Sequence, residues 1–239
     1  MLKLSSVTKV FNRGTINEKL ALSGVNLELA KGDFVTVIGS NGAGKSTLLN
    51  AVAGNFFLDE GDILIEDTNI TQTPQHKRAA YISRVFQDPM LGTAASMTIE
   101  ENLIMAYKRG HSRRLRRAIT GKERDIFRTK LEKLELGLEN RLTDRVSLLS
   151  GGQRQALTLL MATLIEPKVL LLDEHTAALD PKTAEKVLSL TCQAAEGPHL
   201  TTLMITHNLE HALRVGNRTI MMHEGRPILD ISGDDRATM

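Results

Sequence analysis

The sequence predicts an α/β fold built around a mostly parallel β-sheet. Two observations lead there. Short apolar runs recur along the chain with helical segments between them, the alternation that buries parallel strands under crossover helices. The middle then breaks that rhythm: from about Asp88 to Leu149 the pattern turns polar and helical, which reads as an insertion into the α/β core.

The elements follow in order. Near the start, Val25, Leu27 and Leu29 alternate with Asn26, Glu28 and Ala30, as a half-buried strand requires. Phe34-Val35-Thr36-Val37-Ile38 is a short β-rich run that stops at Gly39. A helical pattern runs from Lys45 to about Val52, and Gly54 ends it. Ile63-Leu64-Ile65 is another short strand. In the middle segment, Thr98-Ile99-Glu100-Glu101 has the form of a capping box and marks a helix start. Leu103, Ile119, Leu131 and Leu134 are its candidate core positions. Strand-like runs return at Val169–Leu172, Thr202–Ile205 and Thr219–Met222.

Bulk properties narrow the class. The chain has 239 residues, 41% hydrophobic and 24% charged, which are globular values. Its 30 basic and 28 acidic residues leave a formal net charge of +2, too small a bias to point to nucleic acid. A single cysteine, Cys192, excludes an internal disulfide and fits a reducing compartment; its expected role is packing. No apolar run reaches the ~18–20 residues that span a bilayer. The opening Met1-Leu2-Lys3-Leu4-Ser5-Ser6 lacks the apolar core of a signal peptide. A cytoplasmic location is therefore expected, and any membrane role must come through a partner. The final stretch, Ile231 to Met239, is too short for a sizeable regulatory domain. The basic stretch from Lys108 to Lys130, with Arg113-Arg114-Leu115-Arg116-Arg117, reads as a solvated face rather than a surface for an anionic partner or lipid headgroups.

Chemistry enters at Gly39-Ser40-Asn41-Gly42-Ala43-Gly44-Lys45-Ser46, a full match to G-x-x-x-x-G-K-[ST]. Glycines let the backbone fold tightly and turn its amides inward around phosphate oxygens. The helix that begins there, with Thr47 in its first turn, adds its positive end. Lys45 can reach β- and γ-phosphates, and the Ser46 hydroxyl can ligate Mg²⁺. Such a match arises by chance in roughly 1% of chains this long. A strand entering and a helix leaving lower that further, so a P-loop NTPase is expected. Val169-Leu170-Leu171-Leu172-Asp173-Glu174 is a buried strand ending in two carboxylates. Asp173 would hold magnesium through water, and Glu174 would polarise the water that attacks the γ-phosphate.

Leu149-Ser150-Gly151-Gly152-Gln153 precedes an apolar helix, Ala156 to Met161, and so places a second set of amides at a helix start. One nucleotide needs only one such cradle. The second reads as serving a nucleotide held by another copy of the chain. The P-loop, this signature and the Asp173-Glu174 strand end stand in the order of the ABC ATPase family, which the chain resembles over almost its whole length. That resemblance implies further assignments. Gln87, in Val85-Phe86-Gln87-Asp88-Pro89, matches the Q-loop and would bind magnesium or its water. Ala178-Leu179-Asp180 matches the D-loop, which communicates across the dimer. His207, in Ile205-Thr206-His207-Asn208, matches the switch histidine that contacts the γ-phosphate. Phe11 sits where the family stacks an aromatic, more often tyrosine, on adenine.

The resemblance also implies an architecture and partners. A single ABC ATPase domain is expected over 1–239. Segments 1–87 and 150–239 would form the core with an N-terminal antiparallel β subdomain, and 88–149 an inserted α-helical subdomain. A head-to-tail homodimer would hold two ATP with Mg²⁺ at its interface, on the cytoplasmic face of the membrane. Integral membrane permease subunits, and a solute-binding protein outside the cytoplasm, would complete an importer of a small solute such as an amino acid. The alternative is a membrane-bound switch that signals without transporting. Nucleic-acid relatives carry coiled coils, zinc modules or paired ATPase units, and none is visible here. One departure stands out: Asp173-Glu174-His175-Thr176 places His175 where the family usually has proline. This variant resembles a branch paired with permeases of the branched-chain amino acid type.

Overall fold

The computed structural model describes residues 1–110, 118–196, 200–233 and 236. In chain order the elements are β1 (Leu2–Phe11), β2 (Lys19–Leu29), β3 (Phe34–Ile38), α1 (Lys45–Ala53), β4 (Glu60–Ile65), β5 (Thr68–Asn69), α2 (Gln75–Arg78) and β6 (Ile82–Val85). Then come α3 (Ile99–Tyr107), α4 (Gly121–Glu132), α5 (Gly151–Thr163), β7 (Val169–Asp173), α6 (Pro181–Ala195), β8 (Thr201–Ile205), α7 (Leu209–Arg214), β9 (Arg218–His223) and β10 (Arg226–Ser232). The chain divides into two compact units. The first comprises residues 1–84, 168–174 and 195–239, and the second 85–167 and 175–194.

The first unit carries two sheets. One is four-stranded in the order β2-β1-β4-β5, with β1 antiparallel to both β2 and β4. The other runs β10-β9-β3-β8-β7-β6. In it β3 pairs in parallel with β8 and β9, and β7 in parallel with β8, while β10 closes an antiparallel edge. The α/β class with a mostly parallel sheet is thus realised. Parallel strands covered on both faces read as continuous apolar runs, and all five residues of β3 and of β8 are buried. On β2 the expected alternation holds: Val25, Leu27 and Leu29 are buried while Asn26 and Glu28 are exposed. The core of this unit packs Leu2, Leu4, Leu22 and Leu29 with Leu48, Leu49 and Val52 of α1, and with Leu171, Leu203 and Ile220 of the parallel sheet. Each such side chain is worth about 1.5–3 kcal/mol relative to its exposed state.

Helix α1 starts where the phosphate motif ends and stops at Gly54, whose φ of 84° and amide bonds to the Asn50 and Ala51 carbonyls close it. Below that end lies Arg78, buried to 1% exposure. Its guanidinium donates to the carbonyls of Ala51 and Val52 at the end of α1, at 2.7 and 2.9 Å, and to those of Thr71 and Thr73, at 2.9 and 2.7 Å. A cation at a helix C-terminus also meets the negative end of its dipole.

The second unit is helical. Thr98 caps α3 as its sequence implies: its hydroxyl accepts from the Glu101 amide, and the Glu101 carboxylate accepts from the Thr98 amide. Leu103, Leu131 and Leu134 are buried, joined by Phe127, Leu138 and Leu157. Ile119 is only half-buried, which corrects its expected core role; it precedes the Thr120 cap of α4 and so lies outside the helix that supplies the packing face. Tyr107 and Phe127 meet edge to face with centroids 6.0 Å apart. Glu100, buried on α3, is bound through both oxygens by Arg124 of α4 at 2.6 and 2.9 Å. Cys192 on α6 is half-buried. The Arg113–Arg117 run lies outside the described residues.

Candidate functional site

The phosphate motif is shaped by its neighbours before any ligand is considered. The backbone turns left-handed at Gly39, Gly42 and Gly44. Gly39 has φ 145°, and a Cβ there would collide with the Met222 carbonyl on β9. A side chain is therefore barred by space as well as by conformation. The turn between β9 and β10 reaches over to the loop, where the Gly225 amide donates to the Ala43 carbonyl at 3.0 Å. Lys45 is 5% exposed and its ammonium donates to the carbonyls of Gly39 and Ser40, at 2.7 and 3.1 Å. Burial pulls its pKa below the ordinary lysine value, while the carboxylates of Glu174 and Asp173 push the other way.

A cleft of about 210 Å³ opens on this loop, lined by Phe11, Lys19, Asn41–Thr47, Glu174 and His207 among others. Four distant stretches of sequence meet there. Glu174 follows the end of β7, and its amide donates to the Ile205 carbonyl at the end of β8. Its φ is 48°, the left-handed region that a non-glycine residue adopts only at a cost. His207 follows β8, and its Nε2 lies 2.5 Å from the Glu174 carboxylate. Phe11 ends β1 and packs edge to face on Phe56, with centroids 5.3 Å apart and the Lys9 ammonium over both rings. Asp173 lies at the end of β7, where Arg84 binds its carboxylate at 2.5 Å.

The remaining residues singled out in the sequence belong to the second unit. Gln87 follows β6. Ser150 is the N-cap of α5: its hydroxyl accepts from the Gln153 amide, and the Gln153 side chain accepts from the Ser150 amide, both at 3.2 Å. Asp180 precedes α6 and accepts from the Thr183 amide at 3.1 Å; these bonds hold its carboxyl below the usual aspartate range. His175 is 2% exposed, with Nε2 2.8 Å from the Thr191 hydroxyl of α6. Its place is inside the helical unit, bonded to α6. Lys19 in the cleft and Arg84 on Asp173 escaped the sequence reading. A lone basic residue on a strand carries no motif, and only the strand order of the sheet brings β6 beside β7.

A P-loop backed by a buried lysine, beside two neighbouring strand ends that carry a carboxylate and a histidine, defines a nucleotide phosphohydrolase site. The family profile described as ABC transporter matches residues 22–177, more than half of the chain, and the chain belongs to that family as its ATP-binding, ATP-hydrolysing cassette. It is 43% identical to a tyrosine transport ATP-binding protein of Clostridioides difficile (strain R20291), over 100% of this chain and 95% of that one. It is 32% identical to the thiamine import ATP-binding protein ThiQ of Yersinia pseudotuberculosis serotype I (strain IP32953), over 99% and 92% of the two chains. A solved ATP-binding cassette, dimeric in a post-hydrolysis state with ADP and Pi, superposes with a TM-score of 0.79 at 30% identity, covering 97% of this chain and 98% of that one. Among the described residues no helix is long and apolar enough to cross a membrane.

Proposed function

We propose that this chain is the ATPase subunit of an importer for a small solute of the amino acid class, working as a head-to-tail homodimer on the cytoplasmic face of a membrane permease. The observation that carries the catalytic part is Glu174, held in a left-handed conformation at the strand end with its carboxylate 2.5 Å from His207 over the P-loop cleft. In that reading the amides of residues 39–47 and Lys45 bind the β- and γ-phosphates, and Phe11 stacks on adenine. Glu174 takes the proton of the attacking water, and His207 orients that carboxylate and contacts the γ-phosphate.

The donors near the cleft suit magnesium: the Ser46 hydroxyl and the Asp173 carboxylate are hard oxygen ligands, and the family resemblance assigns the Gln87 amide to the same cation. When bound there, the cation would offset negative charge on the β- and γ-phosphates. The signature Ser150–Gln153 would complete the partner's site, and Asp180 would relay between the two. The helical unit would receive the permease, and a solute-binding protein would deliver the cargo. Full-length likeness to a tyrosine transport ATP-binding protein favours an amino acid cargo. The Asp173-Glu174-His175-Thr176 stretch favours permeases of the branched-chain amino acid type.

Replacement of Glu174 by glutamine tests the core of this reading. Turnover should fall by about 10²–10⁴-fold, the contribution of a positioned general base. ATP should still bind, and gel filtration should show a nucleotide-dependent dimer. Unchanged hydrolysis would remove Glu174 as the base. For the cargo, ATPase activity of the subunit with its permease in liposomes should rise with an amino acid supplied through the binding protein.

A further inference from the structure

Strand β6 carries a charged residue at a place where its neighbours are buried. Arg84 lies between Ser83 and Val85, both buried, and its side chain is only 11% exposed. The guanidinium spans two elements. One terminal nitrogen donates to Asp173 Oδ2 at the end of β7, at 2.5 Å; the other donates to Asn50 Oδ1 on α1, at 2.6 Å. Asp173 is itself 16% exposed, so this is a largely desolvated, charge-assisted pair rather than a surface one.

The far anchor is informative. Asn50 is four residues beyond Ser46 on α1, and residues so spaced share a helix face. The hydroxyl proposed to ligate magnesium and the amide that holds Arg84 therefore look the same way. Asn50 is itself fixed: its side chain accepts from the Asn55 side chain at 3.0 Å, and its carbonyl accepts from the Gly54 and Asn55 amides. The contact with Asp173 uses one carboxylate oxygen, which leaves Oδ1 to receive a metal-bound water.

We propose that Arg84 is a positioning residue for the metal site: it sets the Asp173 carboxylate against the P-loop helix, and so fixes the distance between the two protein groups that share the cation. This rests on the reading of Asp173 as a magnesium-holding residue. A planar fork can bridge two acceptors at set angles, whereas an ammonium is a single point charge. Lysine at this position should therefore restore the function only in part.

The test measures metal dependence of binding, not turnover. Affinity for a non-hydrolysable ATP analogue is determined calorimetrically in Mg²⁺ and in EDTA for the full chain, and the ratio of the two dissociation constants is the readout. Arg84→Met should reduce that ratio by about 10- to 100-fold, the usual cost of losing a residue that orients a metal ligand. The EDTA affinity should stay within about twofold, since the P-loop itself is untouched. Arg84→Lys should recover part of the loss, and Asn50→Ala should reproduce it in milder form. Asp173→Asn should abolish the ratio, and Arg84→Met added to it should cost nothing more, because the two act through one carboxylate. If Arg84→Met also loses EDTA binding, the fold has been damaged, and Asn50→Ala decides instead. A ratio unchanged in Arg84→Met, or raised because Asp173 has been released to the metal, overturns the proposal. An unchanged ratio in Asp173→Asn would instead overturn the reading of Asp173 on which it rests.

Discussion

Replacing Arg78 by methionine, which keeps most of the volume and removes the charge and the donors, should destabilise the protein by about 3–5 kcal/mol, the range for breaking a buried charged arrangement. The magnitude comes from its partners. Four carbonyls accept from the guanidinium, and one of them, Ala51, also accepts from the Gly54 amide. Three carbonyls, those of Val52, Thr71 and Thr73, thus lose a charge-assisted donor, at roughly 1–3 kcal/mol for each buried acceptor left unpaired. Against this, methionine no longer carries the cost of holding a cation away from water, a cost visible in the lowered pKa of Arg78. The difference leaves about 3–5 kcal/mol, a large share of the ~5–15 kcal/mol that holds a typical domain. At about 2–4 °C per kcal/mol for a chain of this size, the melting temperature should drop by about 6–20 °C. Thermal unfolding followed by circular dichroism at neutral pH gives the value directly. Arg78→Lys should fall between, since one ammonium can serve fewer of the four carbonyls at once. A loss under about 1 kcal/mol in Arg78→Met would refute the reasoning, because it would mean that water or a shifted α1 end satisfies these carbonyls without the guanidinium.

Lys45→Ala should weaken ATP binding by about 10- to 150-fold, the worth of a charged hydrogen bond to phosphate, measured by calorimetry; retained affinity would sink the assignment of the cradle. Glu100 should confer acid sensitivity on the helical unit. Hydrogen bonds from Arg124 hold its carboxyl below the ordinary 4.5. A depressed carboxyl stabilises the fold above its unfolded pKa and loses that contribution as pH falls through the folded one. Glu100→Gln should therefore melt earlier than the parent at neutral pH, and the gap should close as pH drops from about 4.5 downward; a gap independent of pH would contradict this. Gly152→Ala should cost about 1–3 kcal/mol of stability by overpacking, because its methyl would land on the Thr183 Cγ2. Thr183→Ser, which removes that methyl alone, should rescue it in thermal melts.

Much of this was legible because it repeats a local rule. The strand at Phe34–Ile38, the capping box at Thr98 and the helix stop at Gly54 each follow from a few adjacent residues, and the structure places them as read. Strand β6 was not legible: it is four residues long with Arg84 inside it, and neither period nor β-rich run marks it. Arg78 would pass for a surface residue of a short polar helix, and only the fold shows it beneath α1. The same holds for the Arg84–Asp173 pair, whose members are 89 residues apart. Periodicity reports which face is buried. It says nothing about which buried polar group meets which acceptor, because that is set by strand order and helix docking. The left-handed turn at Glu174 was equally silent, since glutamate carries no preference for that conformation.

The geometry of the Leu149–Gln153 signature limits which of its groups could meet an anion. The capping box turns two of its amides inward: Ser150 and Gln153 satisfy each other's backbone. An incoming phosphate would therefore meet the amides of Gly151 and Gly152 and the hydroxyl hydrogen of Ser150. The two glycines differ in why they lack side chains. At Gly152 the helical unit itself demands it, because a Cβ would strike Thr183. At Gly151 a Cβ would meet only Leu179, at an ordinary 3.7 Å, and the backbone there is not left-handed. Alanine would fit there. In the proposed head-to-tail dimer, a bare backbone at Gly151 would let a phosphate approach its amide closely. That is the arrangement a nucleotide held by a second copy would require.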